Sequence, residues 1–371
     1  MNLFILQRAC TLFIECTLKG GEALNPTIRY PAPLLPGGVI AVTAPSSGIR
    51  PEHICLFEQA AEHAQELGFI VQEGAVLRSQ VKLALAPAAE RAAELQAFLL
   101  DDAVDAVMPP WGGEFLMEIL PLMDWERLRK APPKWMIGYS DTSTFLFAYT
   151  LITGCATAHG TNFVDLRTRP LDDVTARWMD VVGTAAGGTV TQTSSAMHQS
   201  AWDLSKPGFI LDTPTRWRTI APSGDSGDDP AISFGGRLIG GCLETLTTLI
   251  GTPYAPVSPF IRDYCGEEGT VWFLESSQRN AGDIHRQLWQ MRECGWFQNC
   301  RGLLYGRPAG YAPAQDFELA DSLAQFAVEL GIPVVYNTDI GHVPPQLTLV
   351  NGALVAITAG GGSGTVSMSF R

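Results

Sequence analysis

The turn Gly138-Tyr139-Ser140-Asp141 holds the first residues of this chain with the makings of covalent chemistry. It follows the apolar run Trp135-Met-Ile and precedes an apolar stretch from Thr142 to Thr153. That pattern reads as a short buried strand, a tight turn and a helix. A serine in such a turn stands at the C-terminal edge of a sheet and against a helix N-terminus. The Asp141 amide would lack an intrahelical partner there, and the helix dipole favours negative charge beside it. It is therefore a candidate oxyanion donor. Position 142 is Thr, so the turn is not the Gly-x-Ser-x-Gly elbow of α/β-hydrolases. Taken alone, the fragment fits a helix cap by Ser140, Asp141 or Thr142 better than a nucleophile, because capping is far commoner.

A nucleophilic serine needs more than its turn. Trp111-Gly112-Gly113-Glu follows an apolar run ending at Met108, and paired glycines let a backbone approach a ligand closely. Gly113 is a candidate second oxyanion donor, although taken alone the motif fits a plain βα turn better. The serine also needs a base, and the base a carboxylate to orient it. His159 and His342 both follow strand-like runs and are the candidate bases, His159 fitting a structural role better. Glu275 ends the apolar run Val271-Trp-Phe-Leu, where an unpaired carboxylate would be costly to bury. Either an exposed strand end or a cationic partner accounts for it. No metal-ligand spacing and no phosphate-binding loop occurs, so no cofactor is expected. Gly235-Gly-Arg-Leu-Ile-Gly-Gly has a nucleotide-binding look but lacks the strand and spacing that motif requires.

The elements that must position these residues alternate along the chain. Strands are expected at 39–44, 69–72, 103–108 and 135–137, with helices between them, including 88–100 and a Pro121-split stretch over 115–129. This is the pattern of a parallel sheet covered on both faces. Residues 1–35 read as a poorly specified extension, with a degenerate signal peptide as the alternative. The first domain spans 36–182, a Gly/Ala/Thr/Ser-rich linker 183–205, and a second domain 206–371. Within the second domain the expected helices are 237–249, 284–294 and 317–330. Strands are expected at 270–275, 302–306 and 333–336, with β-structure toward the C-terminus. Of 371 residues, 46% are hydrophobic and 17% charged, which describes a globular chain. A net charge of −13 argues against nucleic acid or an anionic membrane as partner. The eight cysteines form no Cys-x-x-Cys pair and suit buried free thiols, as at Cys55 and Cys155, in a cytoplasmic protein.

In their order and spacing these motifs resemble the LD-carboxypeptidase family of serine peptidases, which includes the microcin C immunity proteins. The resemblance runs from Pro36 to the C-terminus. It rests on Ala44-Pro-Ser, Trp111-Gly-Gly, Gly138-Tyr-Ser-Asp, His159-Gly, Gly236-Arg-Leu-Ile-Gly-Gly, Phe273-Leu-Glu, Tyr305-Gly-Arg and Gly341-His342. It implies an α/β fold, an N-terminal parallel-sheet sandwich with a smaller C-terminal α/β domain and an active site in the cleft between them. It also implies a triad, with Ser140 as nucleophile, His342 as base and Glu275 as its orienting carboxylate. The implied oxyanion donors are the amides of Asp141 and Gly113, and the implied assembly is a homodimer. Two departures stand out. Trp111 replaces the Arg, Ser or Ile common before the double glycine, so a nearby subsite is expected to differ. Thr161 stands where Pro is common.

The implied substrate is a murein-derived peptide that loses its terminal D-alanine. The immunity branch instead cleaves an aspartyl amide of a modified nucleotide, for which Trp202 or Trp217 would offer a stacking surface if not simply packed in the core. A reading of another class is a non-catalytic two-domain binding protein.

Overall fold

The computed structural model describes residues 26–78, 82–200, 206 and 208–371. The part of the expected extension before residue 26 and the candidate Trp202 lie outside the described residues. Residues 28–34 are not a loose extension: Ile28 and Leu34 are buried, and the Tyr30 ring stacks on Phe370.

Five of the six strands of the first sheet come first in the chain: β1 (Val39–Val42), β2 (Ile70–Glu73), β3 (Ala106–Val107), β4 (Trp135–Gly138) and β5 (Thr157–His159). Helices α1 (Ile54–Glu66), α2 (Ala88–Leu100), α3 (Trp125–Lys130) and α4 (Thr142–Thr153) run between them. Pro51 opens the first helical turn, where its missing N–H costs nothing, and Gly68 closes α1 at positive φ. Pro121 lies inside a 3-10 segment over Leu116–Leu122 that is separate from α3. β1 to β5 pair in parallel, in the spatial order β5-β4-β3-β1-β2.

Beyond α5 (Trp178–Val182) come β6 (Thr189–Thr193), β7 (Met197–Gln199), β8 (Leu211–Pro214), β9 (Arg218–Ile220) and β10 (Ile232–Cys242). Helices α6 (Leu243–Thr247) and α7 (Val257–Phe260), strand β11 (Thr270–Glu275), helix α8 (Ala281–Glu293) and strand β12 (Cys300–Gly306) follow. The chain ends with α9 (Leu319–Leu330), β13 (Val334–Thr338), β14 (Leu349–Asn351), β15 (Leu354–Gly360) and β16 (Ser363–Ser369). The second sheet runs β6-β16-β15-β10-β11-β12-β13-β9, with a parallel centre from β10 to β13. β14 returns to the first sheet and pairs antiparallel with β5.

Two expectations for the second half need correction. Residues 237–249 are not one helix: 232–242 is the longest strand, and only 243–247 is α-helical. Its glycines sit where backbones meet, since a Cβ on Gly240 would run into Phe273 and one on Gly241 would lie 2.8 Å from the Ser143 Cβ. The expected linker over 183–205 carries β6, which pairs with β16 at a sheet edge. Alternating burial along β6 leaves Val190 and Gln192 facing inward.

α4 joins the two halves. It is apolar on every side and all but one of its residues are buried. A helix of that kind belongs between layers, and α4 packs against β4 and β5 on one side and β10 on the other. Among the described residues no helix is long and apolar enough to cross a membrane. Cys155 is buried as expected, whereas Cys55 is exposed on α1.

Candidate active site

Ser140, Glu275 and His342 converge from three strand ends. Ser140 lies two residues past β4, Glu275 closes β11, and His342 lies four residues past β13. All are C-terminal edges of parallel strands, where open α/β sheets collect their ligands. The His342 Nε2 atom is 2.9 Å from Ser140 Oγ, and its Nδ1 is 2.8 Å from Glu275 Oε2.

The turn carrying Ser140 is a sharp one. Ser140 itself has φ of +63°, a left-handed conformation that a serine adopts only when its surroundings enforce it. Gly138 has φ of +154°, and a Cβ there would lie 2.9 Å from both Asn162 Oδ1 and Thr142 Cγ2. A Cβ on Gly112 would lie 2.7 Å from Ser140 Cβ and 2.9 Å from the Asp141 amide nitrogen. The bare backbone of Gly112 therefore keeps space open over the serine. Among the described residues, neither the Asp141 nor the Gly113 amide donates a hydrogen bond.

The Asp141 carboxylate, to which the sequence assigned no task, fastens the turn. It accepts from the Ser46 hydroxyl at 2.6 Å, the Leu116 amide at 2.8 Å and the Thr144 hydroxyl at 3.3 Å. Three separate loops thus meet on one side chain, and Ala44-Pro-Ser acquires a purpose. Buried Arg91 ties the same loops, donating to the carbonyls of Pro45 at 2.7 Å and Phe115 at 3.1 Å.

Glu275 is completely buried. Glycines make its room: a Cβ on Gly306 would lie 2.9 Å from its own Cβ, and one on Gly341 would collide with its carboxylate. Burial alone would raise its pKa, but the charge and hydrogen bond of His342 outweigh that and hold it below the ordinary carboxylate value. Burial works against the His342 imidazolium, and Glu275 reverses this, so the ring's pKa lies above that of a free imidazole. The Tyr139 ring meets His342 edge-on, centroids 5.1 Å apart, and limits its rotation.

The second candidate base is elsewhere. His159 is fully buried, its Nδ1 lies 3.3 Å from Ser143 Oγ, and its ring packs edge-on against Phe273. Burial pushes its pKa down to about 4, so it is neutral at pH 7.

Trp217 needs correction as a substrate-facing residue. It is fully buried, and its indole N–H donates to Asp339 Oδ2 at 2.8 Å. Asp339 also accepts from the Ser195 amide at 2.9 Å and ion-pairs with Arg307 at 2.5 Å, which accounts for Tyr305-Gly-Arg. This buried knot lies three residues before His342 and anchors its loop. Trp111 is half-buried, with its indole N–H on the Ser47 carbonyl at 3.1 Å. It lines a small neighbouring cavity with His53 and Arg50, which touches the main cleft only through Gly113.

The main cleft has a volume of about 490 Å³. Ser140, His342 and Gly113 form one side, and Glu244, Thr245, Ser277 and Arg279 the other. Arg279 escaped the sequence reading because its loop has no regular pattern. It supplies the lysine-or-arginine charge of the described lining, and its Nε is buried without a partner among the described residues.

A hydroxyl, an imidazole and a buried carboxylate in hydrogen-bonded series at a cleft belong to the serine-type hydrolases as a class. Comparison with known proteins narrows the class. Residues 40–160 match the LD-carboxypeptidase N-terminal domain and residues 235–357 the LD-carboxypeptidase C-terminal domain. The chain belongs to the LD-carboxypeptidase family and is a serine-type carboxypeptidase. It is 30% identical over 340 residues to a Streptomyces coelicolor protein named as a carboxypeptidase, covering 91% of this chain and 95% of the relative. It is 26% identical over 344 residues to a Bacillus subtilis protein named as a murein peptide carboxypeptidase, covering 92% and 94%. The fold is similar to that of an MccF-like protein from Bacillus anthracis, with a TM-score of 0.77 at 21% identity over 92% of this chain and 99% of that one.

Proposed function

We propose that the chain removes a C-terminal residue from murein-derived peptides through a Ser140 acyl-enzyme. The observation that carries this reading is the hydrogen-bonded series from Ser140 through His342 to Glu275. His342 Nε2 takes the Ser140 proton as Oγ attacks the carbonyl carbon, and the Asp141 and Gly113 amides hold the resulting oxyanion. The tetrahedral adduct collapses, His342 gives the proton to the leaving amine, and the C–N bond breaks. Water, deprotonated by His342, then attacks the ester and frees Ser140. Glu275 keeps Nδ1 protonated and stabilises the imidazolium that forms at each step. Arg279 receives the terminal carboxylate, as a guanidinium suits a carboxylate in a sheltered cleft. Relatives named for murein peptides support the substrate class.

The peptidyl-nucleotide alternative loses Trp217 as a surface for stacking on a base, because that ring is fully buried. A side-by-side assay decides between them. Murein tetrapeptide should yield free D-alanine, while an aspartyl sulfamoyl adenylate should yield little nucleoside. The opposite ranking would overturn the substrate assignment. A homodimer in the cytoplasm is the setting we propose, on the family resemblance and the unpaired thiols of the described cysteines.

A further inference from the structure

One oxygen of the Glu275 carboxylate has no task in the triad. Its Oε2 accepts from His342 Nδ1 at 2.8 Å, while Oε1 is buried without a hydrogen-bond partner among the described residues. A buried charge needs both oxygens served. A carboxylate held by a single hydrogen bond is also free to swing its plane away from the imidazole.

The fold places a donor beside that oxygen. Cys242 closes β10 and stands in register with Glu275 at the end of β11. Parallel neighbours lie about 4.8 Å apart, and residues in register point to the same face. The thiol and the carboxylate are therefore side by side. Cys242 is buried and forms part of the main cleft's wall. Burial, and then the charges of Glu275 and Glu244, push its pKa well above that of a free thiol. At neutral pH the group remains S–H, a donor and not a nucleophile.

The thiol has one proton and faces two carboxylates. Glu244 already accepts from the Ser277 amide at 2.8 Å, and burial raises its pKa, so its charge is the less firmly kept. Glu275 is held ionised by His342. The more fully charged carboxylate is the stronger acceptor.

We propose that Cys242 is a positioning residue of the triad, whose S–H donates to Glu275 Oε1 and keeps the carboxylate plane turned toward His342 Nδ1. A thiol is a weak donor, so its task is to orient and not to add charge. This inference rests on the peptidase reading above and concerns how its triad is held.

The test measures kcat and KM for D-alanine release from murein tetrapeptide by the natural chain, Cys242→Ser, Cys242→Ala and Cys242→Val. Serine keeps a donor but loses volume. Valine keeps the bulk and loses the donor, and alanine loses both. Cys242→Ala and Cys242→Val should each lower kcat by about tenfold, the range of a hydrogen bond to a charged group, with KM changed by about twofold or less. Cys242→Ser should keep about a third or more of the natural kcat. A role in packing reverses that order, with Cys242→Val active and Cys242→Ser impaired, and would overturn the assignment. So would natural kcat in either variant that lacks a donor, or a loss confined to KM. If one of those two variants fails to fold, the other still carries the comparison with Cys242→Ser. No release by the natural chain would overturn the peptidase reading, and the inference with it.

Discussion

In the proposed mechanism His342 must be neutral to accept the Ser140 proton, and this makes the site's pH response predictable. Burial lowers its pKa, but the Glu275 carboxylate prevails and raises it above the ordinary value near 6.5. kcat/KM should therefore fall as the pH drops through that raised value, with the acid limb centred above about 6.5. Glu275→Gln removes the opposing charge, so the limb should move to lower pH and kcat should drop by about 10⁴-fold through loss of the correct tautomer. An acid limb that stays in place in Glu275→Gln would assign it to another group. The same shifts affect stability. The raised His342 pKa contributes stability at low pH that is lost as the pH rises through it. The lowered Glu275 pKa contributes stability at neutral pH that is lost on acidification through it.

At the scale of elements, the proposed function depends on three strand ends and the glycines that let them approach. Gly112→Ala should place a methyl group between Ser140 and the Asp141 amide. The expected loss in kcat is about 10² to 10³-fold, that of a disabled oxyanion donor, with an unchanged circular dichroism spectrum. Gly341→Ala combines φ of +92° with a collision at Glu275, and should cost about 1–3 kcal/mol in denaturant titration. Such glycines also mark the limit of what the sequence discloses. The strand-turn-helix around Ser140 and the strand ending at Glu275 are legible because local apolar runs dictate them. β10 is not, because its apolar residues also match a helical spacing. Only the tertiary approach of Phe273 and Ser143 shows why Gly240 and Gly241 must be glycine. The tasks of Asp141, Arg91 and Asp339 were hidden for a related reason: each joins loops far apart in sequence, and no local pattern announces such a knot.

For the whole molecule, two sheets share α4, and β14 returns from the second half to the first sheet, so Ser140 and His342 are held by one continuous core. Trp217 belongs to that core. Trp217→Ala should therefore lower stability by about 3–5 kcal/mol, seen as an early thermal transition, and not merely weaken substrate binding. A large rise in KM with an unshifted melting temperature would return it to the cleft. Light scattering should give twice the chain mass of 40.1 kDa if the homodimer forms, and 40.1 kDa if it does not. The account depends above all on Ser140. The most direct measurement is D-alanine release from murein tetrapeptide by Ser140→Ala beside the natural chain, with melting curves of both. The account predicts release falling by about 10⁴-fold or more at matched melting temperatures. Release at the natural rate by the variant would contradict it.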